Sequence, residues 1–156
     1  MPIKIREARE EDLDEIVDMW ARLAFDHQEM MEGYDLCYDA RENWREFVED
    51  GLDKNVMNTF IAEDEDELIG FLNVVIRERL DIFEERYMGM ILDVFVKEKW
   101  RAKGIGTSLT KRAEEWIKMK GVNIAVLTVS PQNSKAADFW KNRGYDTYLL
   151  KKRKEL

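Results

Sequence analysis

The chain has 156 residues, of which 45% are hydrophobic, 11% aromatic and 37% charged, with 8 Gly and 2 Pro; this suits one compact domain over 1–156 and excludes disordered, collagen-like and low-complexity character. A formal charge of −8 speaks against a general nucleic-acid binder. One cysteine, Cys37, permits no internal disulfide, no apolar stretch is long enough for a signal peptide or a membrane span, and a soluble cytoplasmic protein is expected.

Ile3 to Arg6 reads as a short opening strand. A helix follows from about Glu10 to His27, with Leu13, Ile16, Val17, Trp20, Leu23 and Ala24 on one face and an acidic first turn that suits the helix dipole. Gln28 to Ala40 has no clean period and reads as a loop or broken helix, and Arg41 to Leu52 as a second helix. Met57 to Glu63 and Leu68 to Arg77 are apolar, partly β-branched runs joined by an acidic turn, the pattern of a hairpin. Tyr87 to Lys97 adds a third strand to an antiparallel meander. From Gly104 the period becomes helical, with Ile105, Leu109, Ala113, Trp116 and Ile117 on one face and Gly121 as the stop. Asn123 to Ser130 is expected as a buried strand, Ser134 to Arg143 as a helix and Tyr145 to Leu150 as a last strand. The order predicts a mixed α/β fold, a mostly antiparallel sheet with helices on both faces.

Charge divides along the chain. Residues 1–66 hold 21 acidic against 7 basic side chains, and residues 67–156 hold 12 against 18. One half could receive a cationic molecule and the other an anionic one, or both could be solvated surfaces.

The segment richest in chemistry runs from Val94 to Thr107. A strand ends at Val96, a basic loop follows, and Gly104 and Gly106 open a long helix whose first amides lack helical partners. With Arg101 and Lys103 beside it, such a turn suits a phosphate or pyrophosphate, although the glycines also serve close packing. It is neither a P-loop nor a dinucleotide fingerprint, since it lacks a Gly-Lys-Ser/Thr ending and a further spaced glycine.

Arg101-x-x-Gly104-x-Gly106, following a strand that ends in Val94 and Val96, resembles the acyl-CoA signature of the GNAT superfamily of N-acetyltransferases. Asn133-x-x-Ala136-x-x-Phe139-Trp140-x-x-x-Gly144-Tyr145 is similar to that family's closing motif, and the order of elements agrees over nearly the whole chain. The resemblance implies a GNAT fold, acetyl-CoA as co-substrate, no metal, and transfer of an acetyl group to a primary, cationic amine by direct attack in a ternary complex. It implies that the edge of Val94, Phe95 and Val96 pairs with pantetheine, that Ala102, Lys103, Gly104, Ile105, Gly106 and Thr107 surround the pyrophosphate with Arg101, and that Asn133 meets the pantetheine arm. Asn133 also has a plain reading as a helix N-cap.

Trp140 stands where the family commonly has a Tyr that protonates the departing thiolate, and an indole N–H is too weak an acid for that task. Tyr145 or Tyr148 could replace it, or the thiolate could leave unaided; Trp140 itself could narrow the thioester channel or pack as core. Asp93, an acid in an apolar strand, is the candidate general base, with a place on a solvated strand face as its alternative. A backbone N–H near Val94 or Phe95 would stabilise the oxyanion. His27, the single histidine, leaves no His pair for a metal site. The rival from another class is a non-catalytic acyl-CoA-binding or regulatory module on the same fold. No nucleic-acid or membrane partner is expected, and a homodimer is compatible with the edge strands of such a sheet.

Overall fold

The computed structural model describes residues 2–156. Five strands, β1 (Lys4–Glu7), β2 (Met57–Asp64), β3 (Glu67–Glu78), β4 (Tyr87–Val96) and β5 (Ala125–Val126), lie in the order β1-β2-β3-β4-β5. The first four are antiparallel neighbours and β5 runs parallel to β4. The helices are α1 (Leu13–Met30), α2 (Ala40–Leu52), α3 (Ile105–Met119) and α4 (Ser134–Asn142), with short 3-10 turns at Glu10–Asp12 and Glu98–Trp100.

Period-2 alternation in the central strands feeds two cores. Phe60, Leu72 and Val74 point to one face and pack against Ile105, Leu109 and Ile117 of α3. Ile61, Phe71 and Phe95 point to the other and meet Ile16, Met19 and Trp20 of α1. Trp20 stacks on Trp44 at 4.8 Å between ring centroids, locking α2 to α1. Among the described residues no helix is long and apolar enough to cross a membrane.

Three elements differ from expectation. The first helix begins with a 3-10 turn and continues through Met30, so only 31–39 is loop. The strand expected over Asn123 to Ser130 shrinks to two half-buried residues, paired as Gly89↔Ala125 and Met90↔Val126. Tyr145 to Leu150 joins no ladder, and Leu149 and Leu150 are exposed. Both losses share a cause. Beyond Met90, β4 carries a bulge, and the twist a bulge adds carries that edge away from β5. A two-residue β5 then offers no continuous edge to a further strand.

The first helix is fastened to the sheet by one arginine. Arg6 on β1 donates a bidentate pair to Asp12 at 2.8 and 3.0 Å, and two further bonds to Glu63 on β2 at 3.2 Å. Asp12 also accepts the Arg9 amide at 2.8 Å. The Arg6 guanidinium holds the Asp12 carboxyl below the usual carboxylate range. The side chains are 13%, 9% and 18% exposed, so removing the cation strands two nearly buried carboxylates. Arg6→Met should cost about 3 kcal/mol, read as a lower urea midpoint at unchanged slope, and adding Asp12→Asn with Glu63→Gln should restore part of it.

Candidate active site

The site is built around the bulge. Asn73 on β3 opposes Asp93, and the next residue, Val74, opposes Ile91, so Leu92 has no partner across the ladder. The extra residue breaks the simple alternation expected of this strand. Ile91 faces the α3 core, whereas Asp93 joins Phe95 on the face covered by α1 and α2. Asp93 is therefore half-buried beneath the helices and not on the open face of the strand. Burial pushes its carboxyl up to about 6, against the Asn73 amide, which donates to Oδ2 at 3.4 Å and pulls it down.

Val94 and Val96 turn their side chains to the α3 core, and Phe95 packs beside Phe71 at 6.4 Å. What these three residues offer outward is backbone. Because β5 pairs only with Gly89 and Met90, the outer edge of β4 from Ile91 to Val96 carries no strand, and its amides and carbonyls, apart from the Val96 carbonyl that Arg101 engages, are available to an extended ligand.

At the end of that edge Arg101 folds back, its Nε donating to the Val96 carbonyl at 2.8 Å and its guanidinium lying 5.5 Å from the Phe95 ring centroid. Ala102 and Gly104 both adopt positive φ, +62° and +82°, which turns the chain sharply into α3. A Cβ on Gly104 would meet nothing within 4 Å, so the glycine serves its backbone angle and leaves open space in front of the turn. The first bond there is from the Ser108 amide to the Gly104 carbonyl at 3.0 Å. The amides of Ile105, Gly106 and Thr107 precede it and have no helical acceptor. Exposed Arg101 and Lys103 flank them, so the turn fits a pyrophosphate. Gly106 has a different reason to be small: a Cβ would come within 3.3 Å of Phe139 on α4.

Arg143, just past α4, donates to Thr107 Oγ1 from Nε at 3.0 Å and from Nη2 at 2.6 Å, while its guanidinium covers Phe139 at 4.6 Å. It adds a third cation to this turn and bears no mark in the sequence, because its partner is 36 residues away. Asn73 had a legible mark, a polar residue in an apolar run, the same mark that singles out Asp93.

Asn133 is the N-cap of α4, its Oδ1 accepting from the Ala136 amide at 3.2 Å. Trp140 packs edge-on between Phe139 and Tyr145, at 4.9 and 5.3 Å. The Tyr145 hydroxyl donates to Glu114 on α3 at 2.7 Å, and burial, with that carboxylate, pushes the phenol well above its ordinary range. The two candidate catalytic side chains thus sit apart: Tyr145 packs with the α3 core and Asp93 faces α1 and α2. Tyr148 is exposed. No group of three His, Cys, Asp or Glu able to hold a metal occurs among the described residues.

Residues 13–145 match the model of the acetyltransferase (GNAT) family. An uncharacterized N-acetyltransferase of Methanocaldococcus jannaschii is 27% identical over 143 residues, 91% of this chain, and this chain spans 60% of that relative's length. A Pyrococcus furiosus structure described as a 'putative acetyl transferase' superposes with a TM-score of 0.78 at 26% identity, covering 99% of this chain and 100% of the other. A Clostridium acetobutylicum structure, a predicted acetyltransferase solved with acetyl-CoA, has the same fold at a TM-score of 0.81 and 18% identity, covering 97% and 96%.

The burial of Asp93 has a thermodynamic signature. Its folded value of about 6 lies above the ordinary 3.8, so between those values the folded protein binds a proton that the unfolded chain has released. The resulting stabilisation is complete below about pH 4 and is lost as pH rises through 6. Asp93→Asn, neutral throughout, should melt about 5 °C higher than the parent at pH 8 and at nearly the same temperature at pH 4, as thermal melts followed by circular dichroism will read.

Proposed function

The chain belongs to the GNAT family of acetyltransferases, and on that premise we propose that it transfers an acetyl group from acetyl-CoA to a primary amine by direct attack, with both substrates bound together. The observation that carries this reading is the unpaired β4 edge, which runs from the bulge beside Asp93 to the free amides at the start of α3. A carboxylate at one end and an anion socket at the other match the two ends of such a reaction.

The thioester of acetyl-CoA supplies an activated acyl group. The β4 backbone from Val94 to Val96 pairs with the pantetheine amides and so fixes the acyl carbon along the edge. Amides from Ala102 to Thr107, with Arg101 and Lys103, hold the pyrophosphate. Asn133, with its oxygen engaged in the cap, keeps its side-chain N–H groups for the pantetheine arm. Asp93 accepts a proton from the incoming ammonium, directly or through water, so that the amine nitrogen can form its bond to the acyl carbon. A backbone N–H of the β4 edge stabilises the negative charge on the thioester oxygen. The carbon–sulfur bond then breaks, the electron pair leaves with sulfur, and the second proton of the attacking nitrogen passes to water, from which the thiolate can take one up. The Tyr145 hydroxyl, bound to Glu114, does not meet it, and the thiolate departs without a side-chain acid. The acidic α1–α2 half draws in the cationic acceptor, and the basic half retains the CoA.

Acetyl transfer to a panel of primary amines tests the reading. Asp93→Asn should lose about 10²-fold or more in kcat with acetyl-CoA affinity unchanged, and the parental kcat/KM should fall as pH drops through about 6, where Asp93 takes up its proton. Tyr145→Phe and Trp140→Tyr should stay within a few fold of the parent. A parental protein that binds acetyl-CoA and acetylates no amine would instead be the non-catalytic acyl-CoA module.

A further inference from the structure

Two buried polar residues have no part in the reaction as proposed. Asn73 is 0% and Thr59 1% exposed, in the middle of strands whose other inward side chains are apolar. They are in register with each other and with Asp93 across three adjacent strands, Thr59↔Asn73 and Asn73↔Asp93. All three belong to the face covered by α1 and α2. Thr59 Oγ1 donates to Asn73 Oδ1, and Asn73 Nδ2 donates to Asp93 Oδ2 at 3.4 Å.

Burying an amide and a hydroxyl in a sheet core opposes folding unless each finds a partner, and apolar residues of the same size would serve the core better. Here each finds its partner in the next strand. The order of donors follows from chemistry: an ionised carboxylate only accepts, so the amide must turn its nitrogen toward Asp93 and its oxygen toward Thr59, whose hydroxyl then donates. Apolar side chains on this face include Met19, Trp20 and Ala24 from α1 and Trp44 from α2, and what acts on the Asp93 carboxyl is desolvation and the Asn73 amide. Among the described residues no cation forms an ion pair with Asp93, and Asn73 is its hydrogen-bond donor.

We propose that Asn73 is a positioning residue for Asp93, that Thr59 holds its amide in the donating orientation, and that this three-strand row keeps the Asp93 carboxylate aimed and ionised at neutral pH. The inference deepens the acetyltransferase reading and rests on Asp93 as its base. Its physical content is separate: without the row, burial acts on Asp93 with no hydrogen bond to oppose it. The Asp93 titration then moves upward.

The test uses Thr59→Val with Asn73→Leu, which removes the hydroxyl and the amide together and leaves Asp93 as the one polar member of the row. Asp93 is followed through its side-chain carboxyl 13C resonance, identified by its loss in Asp93→Asn, and through the pH dependence of kcat/KM. The titration midpoint and the acidic limb should both rise by about one pH unit, so that the rate at pH 6 falls roughly fivefold while the plateau at pH 9 changes far less. Asn73→Ser, which leaves Thr59 a partner and is too short to reach Asp93, should move the midpoint the same way if the double variant does not fold. Thr59→Ser keeps the hydroxyl and should keep the parental midpoint. An unmoved midpoint, or an equal loss of rate at every pH, overturns the proposal. The base reading fails separately, if Asp93→Asn retains the full rate, and the carboxyl titration reads the row even then.

Discussion

One unpaired residue in one strand governs the geometry of the candidate site. Leu92 is the extra residue of the β4 bulge, and its insertion shifts the side-chain alternation by one position. Without it, Ile91 and Asp93 would share a face, leaving either a carboxylate in the α3 core or an isoleucine where Asp93 now stands. With it, Ile91 closes the α3 core and Asp93 is delivered to the other side of the sheet. The same kink ends the parallel ladder after Met90↔Val126. A single insertion therefore sets where the acid points and opens the edge beside it.

The second half of the site depends on two helices meeting end to side. Gly106 lets Phe139 approach α3, Phe139 supports the Arg143 guanidinium, and Arg143 reaches back to Thr107. The result is a braced helix start. Both acceptor directions of the Thr107 hydroxyl are turned to Arg143, so its own proton is free to point toward an anion at the turn. Asn133 contributes from the far end of α4 by capping that helix, which fixes where Phe139 and Arg143 emerge.

Much of this was legible in residue order. The helical faces of α1, α2 and α3, the hairpin and the third antiparallel strand follow from periodicity, and the positive φ at Gly104 fits the glycine that marks the start of α3. These features are local. The bulge was not legible, because Leu92 is chemically like its neighbours and period-2 alternation appears unbroken on paper. Asn123 to Ser130 and Tyr145 to Leu150 carry strand-like composition, yet a strand also needs a partner in register: β5 pairs with β4 only as far as Met90↔Val126, and two residues of β5 give Tyr145 to Leu150 no continuous edge. Contacts such as Arg143 with Thr107 and Tyr145 with Glu114 join residues 36 and 31 positions apart, beyond the reach of any local pattern.

In the proposed reaction, the burial that makes Asp93 costly is also what suits it to its task. A primary ammonium has a pKa of about 10.4, so handing its proton to an exposed aspartate of about 3.9 is uphill by roughly 9 kcal/mol. With the carboxyl raised to about 6, the deficit shrinks to roughly 6 kcal/mol, a gain worth about two orders of magnitude in rate. Raising it much further would leave the group protonated at neutral pH and unable to accept anything. Desolvation pushes toward that limit, and the Asn73 amide pushes back. A base near 6 is mostly ionised at pH 7 and still two units stronger than a solvated aspartate, and the opposed pull of an apolar face and one amide donor is what holds it there.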